Sequence, residues 1–355
     1  MLRGNSRLIW VGLFLYIERC HMSIGSWGRT MSVGILTLAI LLGASLLSLY
    51  VGARDISVMQ IIQSFTHFNG ADVNDIVVQT LRYPRLLAAL VVGASLAVSG
   101  ALMQGVTNNP MASPSILGIN GGASFGLALA MILMPQASLN VTIIFAFLGA
   151  ALATGVILFL AKKVGGKATP VYLALAGTAI GAVFVAVTHM LVVFFQVAQD
   201  LSYWTAGGIS GVRMEQIVLV APWTLVGLAL AIAVSKSVTL LSFGEEVAIG
   251  LGANLNRVRI LAGIAVLLLS GSAVAVAGPV GFVGLVIPHI VRQLVGIDYR
   301  RVIPFSALLG ATLVIVSDVL TRLVNPPYET PLGAITALIG VPFFIYLATR
   351  KGGGR

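Results

Sequence analysis

Charge is scarce in this 355-residue chain. Lys, Arg, Asp and Glu together make up 9% of it, against about 25% in an ordinary soluble domain. That leaves too little polar surface to cover a water-soluble globule, which excludes a cytosolic enzyme. Cysteine is nearly absent as well, and the single Cys20 excludes a disulfide framework and any multi-cysteine metal centre. Strict alternation of polar and apolar residues is also missing, so a porin-type barrel is excluded. A phosphate-binding G-x-x-x-x-G-K-[ST] loop is lacking too; Gly165-Gly-Lys167-Ala168 only superficially resembles one, so the sequence offers no means of hydrolysing ATP by itself.

What is present is apolar. Hydrophobic residues make up 58% of the chain and the mean hydropathy is +1.02. They fall in runs at about 33–51, 86–106, 116–134, 141–161, 171–195, 217–234, 260–291, 302–320 and 332–348. Since roughly 20 apolar residues span a bilayer, the class is an all-α polytopic membrane protein. The run 260–291 has no charged residue and would be about 48 Å long as one helix. Gly278-Pro279 inside it predicts a break into two short spans, which makes ten.

Charge placement tests that count. With both termini cytoplasmic, the inner segments hold 16 of the 21 basic residues, including Lys162, Lys163, Lys167, Lys236, Arg257, Arg259, Arg292, Arg300 and Arg301. Merging 260–291 into one span would put the last two clusters on opposite faces, against the positive-inside rule. The net charge of +10 therefore reads as topology and not as a nucleic-acid surface. Residues 1–30 are read as an extension, with Met22 or Met31 as the working start, and Leu8–Tyr16 is too short to span. Residues 31–350 form one ten-helix domain with an inner loop at 235–259.

Ionisable groups inside a membrane are expensive and are functional candidates by default. Asp318 stands four residues before Arg322, the spacing of an i,i+4 ion pair. His189 and His289 are isolated, and no carboxylates fall at facing mid-membrane positions. This argues against a self-powered secondary carrier and against a membrane-embedded enzyme. Small residues at helical spacing, Gly93, Ala94, Ala97 and Gly100, then Gly177 and Gly181, suit close helix packing. Thr178, Thr188 and Gln196 are weakly polar candidates for a pathway lining.

Two loops carry further signals. Ser242-Phe-Gly-Glu245 reads as a capping box opening a short helix through Glu246, Ala248, Gly250 and Leu251, which Gly252 can close in the left-handed conformation. That helix either lies on the headgroups or docks a cytoplasmic partner. On the outer side Arg82, Arg85 and Arg322 run against the charge bias, either as snorkelling anchors or as sites for a partner bearing carboxylates.

At these residues the chain resembles the FecCD-type permeases of bacterial ABC importers for iron–siderophores, haem and vitamin B12. The resemblance runs from about residue 33 to the end. It rests on Arg82-Tyr-Pro-Arg85, Gly100-Ala-Leu-Met-Gln104, Asn109-Pro-Met-Ala-Ser-Pro114-Ser-Ile-Leu-Gly118, Glu246-Val-Ala248-Ile-Gly-Leu-Gly252, Gly278-Pro279 through Pro288-His289-Ile-Val-Arg292, and Pro331-Leu-Gly333 through Gly340-Val-Pro342. The segments at 109–120 and 325–331 look most like ferric-dicitrate and siderophore permeases. The tyrosine in Arg82–Arg85 replaces a more usual leucine, and the N-terminal extension has no counterpart.

The resemblance implies the type II importer fold of the vitamin B12 transporter, in the cytoplasmic membrane of a bacterium. It implies a homodimer or heterodimer with a second permease subunit, surrounded by lipid, with the pathway along the subunit interface and mainly on the fifth span. Two cytoplasmic ABC ATPase subunits would hold the ATP and Mg, this chain holding no cofactor, metal or catalytic residue, and would grip Ser242, Glu245, Glu246, Ala248, Gly250, Leu251 and Gly252. An extracytoplasmic substrate-binding protein would dock glutamates onto Arg82, Arg85 and Arg322. His289 and Arg292 then read as inner-end structure. The function implied is import of iron(III)–siderophore complexes, with vitamin B12 or haem as the alternative cargo.

Overall fold

The computed structural model describes residues 26–352, apart from 53, 115–117, 164–169, 198, 200, 202–207 and 327. The expectations for Leu8–Tyr16, Met22 and Lys167 lie outside these residues. All regular structure among the described residues is helical, with no strand. In chain order the helices are α1 (Ser26–Tyr50), α2 (Val58–Thr66), α3 (Val73–Val77), a π-helical turn (Val78–Arg82), α4 (Tyr83–Thr107), α5 (Ile119–Leu133), α6 (Leu139–Lys163) and α7 (Pro170–Phe195). They continue as α8 (Met214–Leu241), α9 (Glu245–Gly250), α10 (Leu255–Ala277), α11 (Val283–Val295), α12 (Tyr299–Leu323) and α13 (Leu332–Gly352). Seven are long and apolar enough to cross a membrane; α5, α11 and the apolar part of α13 are shorter. Length alone thus accounts for seven of the ten crossings expected.

The break in the 260–291 run falls where Gly278-Pro279 predicts it. Gly278 adopts φ +69° and ends α10, a backbone region that costs glycine little. The two pieces are unequal, however: α10 has 23 residues, a full span, and only α11, with 13, is short.

Helix α4 is the centre of the bundle, buried along most of its length and packed against α8, α10, α11 and α12. Its small residues permit this. A Cβ on Gly93 would fall 2.3 Å from the Gly310 carbonyl oxygen, and one on Gly100 1.9 Å from that of Gly284; neither space can hold a side chain. A second seam, unforeseen in the sequence, joins α5 to α6, where Gly122 and Gly149 meet backbone to backbone. Gly181 of α7 closes on Gly121 of α5, so the Gly177/Gly181 pair does serve packing. The outward faces of α1, α7 and α8 are apolar and exposed, as at Leu46, Val193 and Leu225.

Candidate functional site

The outer arginines are drawn into one buried cluster. A helix leaves its last four carbonyls without intrahelical partners, and Arg82 and Arg322 supply those at the outer end of α1. Arg82 Nη1 donates to the carbonyls of Leu49 (2.6 Å) and Tyr50 (2.8 Å), and Nη2 to that of Arg54. Gly52 leaves room for this, since a Cβ there would lie 2.7 Å from Arg82 Nη2. Arg322 Nη1 donates to Ser48 (3.0 Å) and Val51 (2.8 Å). Two cations at a helix C-terminus also match the sign of its macrodipole.

Asp318, 1% exposed, ties the cluster together. It accepts from Arg322, the i,i+4 pair read from the sequence, and from Arg85 Nε at 2.8 Å. Arg85 reaches on to Glu329, with Nη1 to Oε1 at 2.6 Å and Nη2 to Oε2 at 3.2 Å, a bidentate arrangement that fixes geometry as well as charge. Partial burial acts to raise the Glu329 carboxyl. The hydrogen bond and charge of Arg85, then Ser210 and Arg322, outweigh it and hold the carboxyl below its ordinary range. The side chains of Arg85 and Arg322 are 12% and 8% exposed and that of Glu329 is 42% exposed, so Glu329 is the group of this array that faces water. A cavity of about 1070 Å³ opens beside Arg85, Asp318 and Glu329. Arg54 and Arg213, the other two outer cations, are exposed and form no ion pair among the described residues.

The inner end has its own polar junction. Pro288 lies inside α11 and has no N–H for the carbonyl of Gly284. Gln104 of α4 makes good the loss, its Nε2 donating to Gly284 (3.1 Å) and Leu285 (3.3 Å) while its Oε1 accepts from Arg292 at 2.6 Å. His289 has Gln293 Nε2 at 3.1 Å and meets the Phe343 ring edge-on, which is the inner-end packing expected of it. Among the described residues no group of three His, Cys, Asp or Glu could hold a metal ion.

The short helix α9 forms, but not by the expected cap. Helix α8 continues to Leu241, so Ser242 closes that helix and its hydroxyl donates back to Thr239 (2.7 Å). Gly244 is the N-cap of α9, without a side-chain bond, and Glu245 pairs with Arg259 instead. The C-terminal reading holds. Gly252 has φ +80°, its N–H bonds the Ile249 carbonyl and the Ala253 N–H bonds that of Ala248, the paired bonds of a Schellman motif. Ala248 is buried, whereas Phe243, Val247, Ile249 and Leu251 are exposed, and Glu246 and Gly250 lie on the same open surface. Asn108, in the left-handed region, donates to the Leu241 carbonyl at 2.9 Å and so anchors this loop to α4.

The pathway candidates are not brought together. Thr178 is exposed and donates to Leu175, Thr188 is 3% exposed with its hydroxyl on Phe184, and Gln196 lies beyond the end of α7 at φ +58°. Thr188 is thus turned into the chain's own packing, away from any open face. The sequence assigns no role to Gln104, Asn108 or Glu329, although Gln104 and Glu329 fall within the motifs quoted above. For Gln104 the available signal was Pro288, whose missing donor leaves a carbonyl needing a partner.

Comparison with known proteins identifies the family. The chain is 46% identical over 306 residues to the Fe(3+)-citrate import system permease protein YfmD of Bacillus subtilis, covering 86% of this chain and 90% of that protein. It is 44% identical over 317 residues to the iron(3+)-hydroxamate import system permease protein FhuB of the same organism, covering 89% and 83%. The Fe(3+) dicitrate transport system permease protein FecC of Escherichia coli is 40% identical over 280 residues, covering 78% and 83%. Among solved structures, a metal-chelate type ABC transporter in an inward-facing conformation superposes with a TM-score of 0.79 at 28% identity, covering 90% of this chain and 99% of that one. The apolar helices and these relatives place the chain in the cytoplasmic membrane of a bacterium as a multi-pass protein. The FecCD transport family model matches residues 39–350, and the chain belongs to that family, the permeases of ABC importers.

Proposed function

We propose that this chain is the membrane-spanning permease subunit of an ATP-driven importer that carries iron(III)–siderophore complexes into the cytoplasm. The observation that carries the reading is the identity to ferric-citrate and ferric-hydroxamate permeases over most of their length. Ten helices, the seven long and three short ones, form the bundle. A second permease subunit, of the same or a related sequence, completes the pathway. Separate ATPase subunits bind the ATP and Mg and contact the surface around α9, where four exposed apolar side chains surround the capped turn. Their closure moves α9, and the bundle alternates between outward- and inward-open states. Chelated iron is bulky, and a pathway for it need not ligate the metal.

An extracytoplasmic binding protein docks on the outer face. Arg82 and Arg322 are committed to α1, so Arg85 is the docking cation of the three. Glu329 holds the place that a glutamate of the binding protein takes over, and complementary charge of this kind sets encounter and register. Arg85→Gln, which keeps a neutral donor beside Asp318 while Arg322 still pairs it, cuts uptake while the ATPase assembly persists; unaltered uptake would refute the docking role.

The test of the whole reading is reconstitution with an ABC ATPase and a substrate-binding protein from the same organism, followed by uptake of radioiron offered as citrate, hydroxamate and catecholate complexes. ATP-dependent uptake of one class fixes the cargo. Stimulation by cobalamin or haem without iron uptake keeps the architecture and replaces the cargo. Uptake that persists without any ATPase overturns the reading.

A further inference from the structure

A groove between the inner ends of α8 and α12 is used by nothing described so far. It has a volume of about 380 Å³, and its lining combines two cations, Lys236 and Arg300, with the apolar Ile232, Ala233, Ile303 and Pro304. Lys236 is exposed and forms no ion pair among the described residues. Arg300 rests on Asp298 at 3.1 Å and keeps 64% of its side chain exposed. The groove therefore carries two cations, of which only Arg300 has a carboxylate against it among the described residues.

We infer that this groove binds an anionic phospholipid of the inner leaflet, its phosphate between Lys236 and Arg300 and an acyl chain along Ile232 and Ala233. Depth comes first. Lys236 precedes the inner end of α8 by five residues, about 7.5 Å along the axis, and Arg300 is in the first turn of α12, so both stand at the level of the headgroups. The apolar end comes second. Ile232, Leu225 and Val218, each 60–65% exposed, recur every seven residues and continue the groove as one stripe up the outside of α8, where acyl chains run. A free phosphate would satisfy the cations and leave this stripe empty; a zwitterionic lipid would leave the cations in excess. Basic pockets between helices on the cytoplasmic side suit anionic headgroups for this reason.

The groove is also fixed in place. The Tyr299 N–H donates to Thr239 Oγ1 at 2.9 Å, and the Thr239 hydroxyl bonds Ser235 and Asp298. These bonds lock the turn into α12 against α8, so a lipid finds the site formed.

The full chain in detergent is titrated with phosphatidylglycerol or phosphatidylcholine and bound lipid is counted by native mass spectrometry. The expected result is selective retention of phosphatidylglycerol. Each cation near an anionic headgroup is worth about fivefold in affinity, so Lys236→Gln with Arg300→Gln weakens retention about 25-fold. Ala233→Trp fills the apolar part with both cations intact and lowers retention too, and Arg257→Gln, an exposed cation outside the groove, leaves it unchanged. Unfolding temperature and elution profile show that each variant is folded. Equal retention of the two lipids, or equal losses in the groove variants and Arg257→Gln, would overturn the site. Displacement by inorganic phosphate alone would reassign it to a free anion and overturn the lipid.

Discussion

Asp318 is the residue on which the outer cluster turns. It is 1% exposed between Arg85 and Arg322, and removing one partner of a buried ion pair costs about 3–5 kcal/mol because the other charges stay behind. Asp318→Asn should lower the unfolding temperature in detergent by that equivalent, whereas Asp55→Asn, on the exposed outer loop, should leave it within error. Glu329 adds a pH dependence. Its carboxyl is held below the ordinary 4.5, so its hold on the 324–331 loop is complete above that value and is lost as pH falls through the depressed one. Proteolysis of that loop should rise only in acid, and Glu329→Gln should be equally sensitive at neutral pH. The Asp318–Arg322 pair was legible because four residues separate its members. Arg85 was not, because its partners lie 233 and 244 residues away and no local pattern marks such a distance.

Among the elements, α9 shows which signals survive folding. Gly252 was legible since a left-handed residue after a short apolar helix has one inexpensive solution; Gly252→Ala should cost about 1 kcal/mol and fray α9 in hydrogen exchange. The Ser242 cap was misread because an N-cap depends on where the preceding helix stops, and α8 runs on to Leu241. Replacing residues 245–251 with a Gly/Ser linker should abolish stimulation of ATP hydrolysis by the loaded binding protein while the permease still folds; stimulation at the original level would remove α9 from the coupling. The α4 seam sets a different scale of effect. Gly100→Ala drives a methyl into the Gly284 backbone and should prevent folding, whereas Gly43→Ala, with nothing within 4 Å, should be silent in expression and unfolding temperature.

Over the whole molecule, the apolar runs and the placement of basic residues were enough to order the helices, because both are imposed by the bilayer. Which helix lies beside which was not legible. The contact of α4 with α12 depends on Gly93 meeting Gly310 across more than two hundred residues, and that of the consecutive α5 and α6 on Gly122 meeting Gly149. For the second permease subunit proposed above, the exposed face of α7, with Val183, Met190 and Val193 outward, is the seat this proposal selects. A cysteine at Met190, with Cys20 removed, should cross-link between subunits in the assembled transporter; if it is labelled equally with and without the partner, that seat is elsewhere. The repair that Gln104 makes to α11 bears on motion. Sliding α11 along α4 would strip the Gly284 carbonyl of its only replacement donor in a solvent that offers none. Breaking that contact therefore carries a cost, and a disulfide placed across the α4–α11 contact should leave transport intact if the two helices move together; loss of transport on oxidation would show that they slide.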